Sequence, residues 1–269
     1  MMVKKINRIW WQITGAILFN FPFLEPLTFA WLPVPVLNCY SCPIAQGACP
    51  IGTFQHFLII GAIPLFVMGV IGFFGLLVGR FYCSHLCPFG FFQELLGRIT
   101  RHKKQIPHFL EYGKYASLVL LVIILPPIVS EPFFCTLCPA GTIEAGFPIV
   151  IGAWIDVHFR SGDIVNSNAG ILGMVGWWFW FKASLLGLVI ALAVFTKRPF
   201  CRTACPLGAT LALFNRISIF VHPPVDKTKD TSPHYFLKNC PVGITHPDKV
   251  DSGSCIKCRE CYPQPMNNT

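Results

Sequence analysis

The sequence predicts an all-α integral membrane protein with a small cysteine-rich tail. Of its 269 residues, 54% are hydrophobic and only 12% are charged, which is about half the charged share of an average soluble domain. The apolar residues form long runs, with lysines and arginines clustered at the ends of those runs. A cysteine motif also occurs twice, each time at the end of such a run.

The duplicated motif has the form Cys-x3-Cys-Pro. The segment 80–90 matches the segment 198–208 at a constant offset, which continues to Ile99 and Ile217. A Cys-x2-Cys-Pro motif also repeats, at Cys39 and Cys135. The chain is therefore interpreted as two parallel repeats related by an axis along the membrane normal, at about residues 9–100 and 109–218.

We predict four transmembrane helices, each long enough to cross a hydrocarbon core about 30 Å thick. They are the apolar runs 9–30, 53–79, 109–129 and 171–195. Glycines and a proline interrupt residues 142–157, where we expect a re-entrant or interfacial stretch. The transmembrane domain is assigned to residues 1–221, and the polar residues 222–269 are a predicted cytoplasmic ferredoxin-like tail.

The positive charges predict the orientation. Lysine and arginine are concentrated before the first run, in residues 80–114 and after residue 195, whereas residues 12–79 contain neither. The positive-inside rule then places both termini in the cytoplasm. The Cys-x3-Cys pairs lie on the inner side and the Cys-x2-Cys pairs on the outer side, about 30 Å apart. The net charge of +9 reflects these clusters, so nucleic-acid binding is not expected.

The tail carries the most specific metal motif. Cys255, Cys258 and Cys261 follow one another at consecutive x2 spacings, and Cys240 precedes a proline. This arrangement is typical of the four ligands of a [4Fe–4S] cluster. Zinc sites usually have two separated Cys-x2-Cys pairs, so the spacing favours iron and sulfur. A second cysteine trio is missing, so we expect one cluster in the tail.

Two further sets of four thiols are candidate [4Fe–4S] sites. The inner set is Cys83, Cys87, Cys201 and Cys205, and the outer set is Cys39, Cys42, Cys135 and Cys138. Reduced thiols remain an alternative for the inner set. Disulfides remain an alternative for the outer set, and thiol–disulfide exchange near a quinone remains an alternative for either set. Cys49 has no counterpart in the repeat and is interpreted as a packed or spare thiol.

The matched arginines Arg80 and Arg198 are candidate residues around the inner cluster. Their charge would offset that of thiolate-bound iron, although anchoring at the membrane surface explains them almost as well. One cluster-to-cluster step across a bilayer would be slow, so a membrane quinone is the predicted small-molecule partner.

Quinone chemistry requires a group that exchanges protons near a cluster. The candidates are His85, Lys182, Glu25 and His56, with Glu94 and Glu131 as further possibilities. Lys182 lies within an apolar run, where an ionisable group is a functional candidate by default. A snorkelling lysine beside an aromatic belt is the alternative explanation. Helix capping is the alternative for Glu25 and Glu131.

Together these motifs resemble the NapH-type membrane ferredoxins, a quinol dehydrogenase family that includes the membrane part of the nitrous oxide reductase activator. The resemblance spans about residues 9–261. It implies a bacterial inner-membrane protein that oxidises quinol and passes electrons through [4Fe–4S] clusters to a partner redox protein. That partner would be an iron–sulfur protein or a multihaem cytochrome within a larger oxidoreductase complex. The chain departs from the family because its relatives usually hold two tail clusters.

Two other functions fit the same residues. The first is an assembly protein that keeps a metal or thiol of a periplasmic reductase reduced. The second is a membrane anchor whose cysteines hold structural metal. Iron and sulfide contents of about twelve per chain would support three clusters, against about four for a protein with only the tail cluster.

Overall fold

The computed structural model describes residues 8–20, 33–39, 41–42, 47–100, 103–159, 175–219, 240–244, 249–250, 252–258 and 260. This part of the chain is mostly helical and contains no strand beyond two isolated bridges. The helices are α1 (Arg8–Asn20), α2 (Pro50–Ile59), α3 (Leu65–Val78), α4 (Phe81–His85), α5 (Pro88–Gly97), α6 (His108–Val129), α7 (Phe133–Leu137), α8 (139–159), α9 (Trp177–Phe195), α10 (Pro199–Thr203) and α11 (Pro206–Phe214).

Two helices among the described residues, α6 and α9, are long and apolar enough to cross a membrane. They correspond to the third and fourth predicted crossings. Only 22% and 17% of their most apolar windows are buried, so most of their apolar surface faces outward. Large outward apolar surfaces mark contact with lipid or another protein. The described residues therefore contain two candidate spans rather than the four predicted.

The second predicted crossing is wrong, because residues 53–79 are not one helix. α2 ends at Ile59 and α3 begins at Leu65. Between them Gly61 has a φ of +71°, a left-handed conformation that glycine adopts without strain. Pro64 then precedes the next helix. The chain reverses here, since α2 and α3 contact each other and the cysteines before and after them share one buried cluster.

The remaining membrane-related predictions have mixed outcomes. α1 covers the start of the first predicted crossing, and residues 21–30 lie outside the described residues. Residues 142–157 are helical rather than interrupted. A π-helical turn at Thr142–Gly146 is followed directly by α-helix at Phe147–Phe159. A wider π turn accommodates irregular residues without ending the helix.

The described part of the tail is bonded to the helices rather than separate from them. The backbone carbonyl of Gly253 accepts hydrogen bonds from Arg80 Nη1 at 2.6 Å and Lys114 Nζ at 2.8 Å. Asn215 Nδ2 donates to the carbonyl of Cys255 at 3.0 Å. The proposed boundary at residues 221–222 lies outside the described residues. The tail cysteines are thus held against the ends of the helices.

Gly15 on α1 packs directly against the loop between the first two inner cysteines. A Cβ at this position would lie 2.7 Å from the carbonyl oxygen of Leu86. Because the neighbour is backbone, rotating a side chain cannot relieve the clash. We expect Gly15→Ala to cost about 2 kcal/mol and to lower the Tm by roughly 4–8 °C. Thermal unfolding in detergent measures the change.

Gly69→Ala on α3 is the matched control. No atom of the described residues lies within 4 Å of a Cβ at Gly69, and alanine is the better helix former. Its Tm is expected to stay the same or rise slightly. Equal losses in the two variants would contradict the close packing of α1 against Leu86.

Candidate metal centres

The four cysteines of the Cys-x3-Cys motifs lie together at the ends of α3 and α9. All four are buried. Burial raises the pKa of the Cys87 thiol to about 12, and the charges of Cys201 and Cys83 raise it further. Burial and the same neighbouring charges raise the pKa of Cys205. The structure therefore brings the predicted inner set into one group.

The two arginines before these motifs cross reciprocally between the repeats. Arg80 Nη2 donates to the carbonyl oxygen of Cys201 at 3.1 Å, and Arg198 Nη1 donates to the carbonyl oxygen of Cys83 at 2.5 Å. Gly208 and Gly90 make room, because a Cβ would lie 3.1 and 3.2 Å from the guanidinium nitrogens. A twofold relation between the repeats predicts this pair of reciprocal hydrogen bonds.

The charges around the inner set are suited to an anionic group. Arg198 Nη2 lies 2.8 Å from Glu94 Oε1, whereas no carboxylate pairs with Arg80 among the described residues. Arg80 is fully buried, and its Nε has no hydrogen-bond partner within the described part of the chain. A buried cation without a counterion is costly. Four thiolates around an iron–sulfur core carry net negative charge, so the residues present fit a [4Fe–4S] cluster.

Within the described ranges, no three His, Cys, Asp or Glu side chains are placed to share one metal ion. A [4Fe–4S] cluster has a different requirement, because each cysteine binds its own iron atom. The thiols must then surround a volume rather than meet at a point.

A second set of four thiols lines one small cavity. It consists of Cys39, Cys49, Cys135 and Cys138. Cys42 is buried nearby but is not among the lining residues. The sequence analysis did not assign Cys49 to a site. The feature that could have identified it is the sequence Cys49-Pro50-Ile51-Gly52, because the inner motifs have the same Cys-Pro-x-Gly pattern.

The two sets of thiols are neighbours. Burial raises the pKa of Cys49, and the charges of Cys135 and Cys87 raise it further. Cys49 and Cys87 also belong to one continuous buried cluster. The predicted separation of about 30 Å is therefore wrong. The reversal between α2 and α3 explains the difference, because it returns the chain from Cys49 to the inner motif.

The tail contributes a third group of thiols. Burial raises the pKa of Cys258, and the charges of Cys240 and Cys255 act on it. Backbone N–H groups donate to two of the sulfurs, from Ile244 to Cys240 at 3.3 Å and from Lys257 to Cys255 at 3.4 Å. Cys261 lies outside the described residues. Three of the four predicted tail ligands are therefore close together.

Of the predicted proton-exchanging residues, Lys182 lies beside cysteines. It lines a cavity of about 400 Å³ together with Cys39, Cys135, Trp178 and Phe179. The other candidates that the structure describes do not line this cavity. His56 and Glu131 are exposed, Glu94 is ion-paired, and Glu25 lies outside the described residues.

His85 occupies a different environment, beside the inner set. Its ring stacks on Phe81 with centroids 4.0 Å apart, and Ser84 Oγ lies 2.5 Å from its Nδ1. Burial lowers the pKa of His85 to about 4. The imidazole is therefore neutral near pH 7, which favours a packing role.

Comparison with known proteins adds to this geometry. The chain matches the family model of a 4Fe-4S binding domain. The match covers residues 59–107, 114–147 and 174–223. These segments contain the whole inner set together with Cys135 and Cys138, whereas Cys39, Cys49 and the tail cysteines lie outside them. The match supports binding of [4Fe–4S] clusters.

Two kinds of curated relative are similar to the chain. The uncharacterized protein MJ0750 of Methanocaldococcus jannaschii is 27% identical over 79% of this chain and 81% of its own length. The regulatory protein NosR of Stutzerimonas stutzeri is 28% identical over 69% of this chain, but the match spans only 23% of NosR. No solved structure shows significant similarity. Both relatives are less than 30% identical to the chain, so they show similarity over most of its length and not membership of a named family.

Proposed function

We propose that the protein is an inner-membrane iron–sulfur subunit that exchanges electrons with quinol and passes them through [4Fe–4S] clusters to a partner redox protein. The observation that carries the proposal is the cavity that joins Lys182 to Cys39 and Cys135. It combines a cationic side chain, aromatic walls and thiols at one place on a candidate membrane span.

The cavity has the features that a quinone ring requires. Its volume of about 400 Å³ falls in the usual range for small-molecule sites. Trp178 and Phe179 supply flat aromatic walls, and Ile149 and Val150 on α8 supply apolar ones. Because α9 is long and apolar enough to span a membrane, a lipid-soluble ligand would reach the cavity from the bilayer.

Lys182 has a specific role in this proposal. Oxidation of a quinol would release two electrons to the carriers at the thiols and two protons to the solvent at the open cavity, so negative charge develops on the hydroxyl oxygen as its proton leaves. The Lys182 ammonium would donate a hydrogen bond to that oxygen and stabilise the charge in an apolar setting. Glu144 Oε2 accepts a hydrogen bond from the backbone N–H of Cys39 at 2.6 Å, which holds the cysteine loop against α8 at the cavity.

The arrangement of thiols supports a path away from the cavity. Cysteines from all three groups belong to one buried cluster. When bound, [4Fe–4S] clusters at these groups would supply one-electron carriers. The tail group is bonded to Arg80 and Lys114 beside the inner set, and a partner iron–sulfur protein or multihaem cytochrome would exchange electrons there.

The positive charges support the proposed orientation in the inner membrane. Lys103 and Lys104 precede α6, and Lys197 and Arg198 follow α9. If α6 and α9 form a two-helix membrane hairpin, the positive-inside rule puts both of these ends in the cytoplasm. Both termini and the tail would then be cytoplasmic, as in the sequence prediction, with the two candidate spans that the described residues contain.

Lys182→Met tests this function in the purified full-length protein. We expect quinol-driven reduction of the clusters to become roughly 100-fold slower, because a preorganised charge is lost. Reduction by dithionite should be unchanged, since it bypasses the cavity. Stopped-flow absorbance measures both rates.

Ser184→Ala is the control on the same helix, because Ser184 Oγ donates to the carbonyl of Trp180 in its own helix, 2.8 Å away. It should reduce at the wild-type rate. Wild-type rates in both variants, or no reduction of the wild-type protein by quinol, would overturn the proposed function.

A further inference from the structure

We propose that Cys39, Cys49, Cys135 and Cys138 bind a [4Fe–4S] cluster of their own, and that Cys42 is not one of its ligands. The inference rests on the proposed iron–sulfur function and deepens it, because this cluster would lie directly beside the cavity of Lys182. Two of these ligands, Cys39 and Cys49, lie outside the segments that match the 4Fe-4S binding domain.

The first argument is that two buried glutamines make the same pair of hydrogen bonds in the two sites. In the inner site, Gln93 Oε1 accepts from the backbone N–H of Phe200 at 3.2 Å, and its Nε2 donates to Cys201 Sγ at 3.1 Å. In the outer site, Gln55 Oε1 accepts from the N–H of Phe134 at 3.2 Å, and its Nε2 donates to Cys135 Sγ at 3.7 Å.

The equivalence of the glutamines identifies the equivalent cysteines. Gln93 is six residues after Cys87, and Gln55 is six residues after Cys49. The two segments read Cys-Pro-Phe-Gly-Phe-Phe-Gln and Cys-Pro-Ile-Gly-Thr-Phe-Gln. Cys49 therefore holds the position in the outer site that Cys87 holds in the inner site. Alignment of the two repeats by Cys-x2-Cys-Pro alone obscured this relation.

The second argument is the glycine that follows Cys-Pro. Cys-Pro-x-Gly occurs at Cys49, Cys87, Cys138, Cys205 and Cys240. All five cysteines belong to the same buried cluster. Cys42 is also followed by proline, but alanine stands where the glycine would be, and Cys42 does not line the cavity.

The Cys-Pro-x-Gly motif suits a cysteine that binds metal, because a helix begins directly after the cysteine. Proline takes the first helical position, where no N–H is needed, and the next N–H groups point at the sulfur. Gly90 N donates to Cys87 Sγ at 3.4 Å, and Gly208 N donates to Cys205 Sγ at 3.3 Å. The N–H groups of Ile51 and Gly52 are placed similarly toward Cys49.

The glycines also leave room for the cysteines of the partner motif. A Cβ on Gly141 would lie 3.4 Å from Cys39 Sγ, so a larger residue here would crowd the cavity. Four packed thiols without a cluster would need none of these features. Gln55 is completely buried, and a neutral thiol is only a weak acceptor for its amide. A metal-bound thiolate is the better partner for it.

The test is the iron and acid-labile sulfide content of the purified full-length protein after anaerobic reconstitution. We expect about twelve of each per wild-type chain and about eight in Cys49→Ser, because each cluster holds four. Cys42→Ser, the matched control three residues from Cys39, should retain about twelve. A wild-type content in Cys49→Ser, or a loss in Cys42→Ser, would overturn the ligand assignment.

A second pair of variants keeps all thiols in place and so guards against misfolding. Gln55→Leu and Gln93→Leu should retain wild-type iron, and each should shift the reduction potential of a different EPR signal. A shift of the same signal by both variants would contradict a separate outer cluster. If the iron contents follow the expected pattern but quinol reduces no cluster, the proposed function fails and this ligand assignment stands.

Discussion

In Cys205→Ser we expect quinol to reduce the outer cluster but no longer the tail cluster. Serine is a poor ligand for iron, so the chain should lose about four iron atoms. The inner set lies between the other two groups. On one side Cys87 acts electrostatically on Cys49. On the other side Arg80 bridges the carbonyl of Cys201 and the carbonyl of Gly253, two residues before Cys255.

Because electron transfer slows steeply with distance, removal of the middle carrier should stop almost all quinol-driven reduction of the tail cluster. Freeze-quench EPR after mixing with quinol distinguishes the signals. In Cys205→Ser the outer signal should still appear at the wild-type rate, whereas the tail signal should appear only with dithionite. Cys42→Ser controls for the general effect of losing a buried thiol. Rapid reduction of the tail cluster in Cys205→Ser would show that electrons bypass the inner set.

The convergence of the inner cysteines was predictable because the sequence encodes it twice. The constant offset between the repeats implies a symmetry axis, and residues at corresponding positions then face each other across it. The reciprocal bonds of Arg80 and Arg198 follow from the same symmetry. The spans α6 and α9 were predictable as well, since their length and hydropathy depend on few tertiary contacts.

The reversal between α2 and α3 was not predictable from hydropathy. The residues of the turn, Gly61 to Pro64, are themselves apolar, so the run looks continuous. A glycine followed by a proline three residues later was the only local sign. This single error placed the outer and inner thiols on opposite faces, and it made Cys49 look isolated although its chain returns to Cys87.

The contacts between the tail and the helices could not be predicted from the sequence, for a different reason. Its described contacts are made largely by backbone carbonyls, such as those of Gly253 and Cys255. Any sequence has such carbonyls, so no residue pattern reports which of them Arg80 or Asn215 will reach. The polar composition of the tail indicated exposure, whereas the bonds are to buried side chains of the helical body.

Glu94→Gln is expected to be among the most destabilising substitutions outside the thiols. Glu94 lies 2.8 Å from Arg198 Nη2 and 2.9 Å from Arg8 Nη2, and it accepts from Gln12 Nε2 at 3.1 Å. Arg198 is only 1% exposed, so the substitution leaves a buried guanidinium without its carboxylate partner. Breaking such a pair costs about 3–5 kcal/mol.

The effect should depend on pH in a defined direction. Burial acts to raise the pKa of Glu94, but Arg198 and Arg8 outweigh it, so the pKa lies below its ordinary value. The ion pair therefore contributes its full stability above the pKa of the unfolded state, about 4.3, and loses it as the pH falls through the lower folded value. The difference in unfolding free energy between wild type and Glu94→Gln should be constant near neutrality and shrink in acid.

Glu260→Gln provides the matched control. Glu260 pairs with the same Arg8, but at 3.7 Å and with 31% of its side chain exposed. An exposed pair contributes less than about 1 kcal/mol, so this variant should unfold close to wild type. Chemical denaturation in detergent across a pH series measures all three proteins. Equal losses in the two variants, or a gap for Glu94→Gln that persists unchanged in acid, would show that Glu94 does not compensate the buried charge of Arg198.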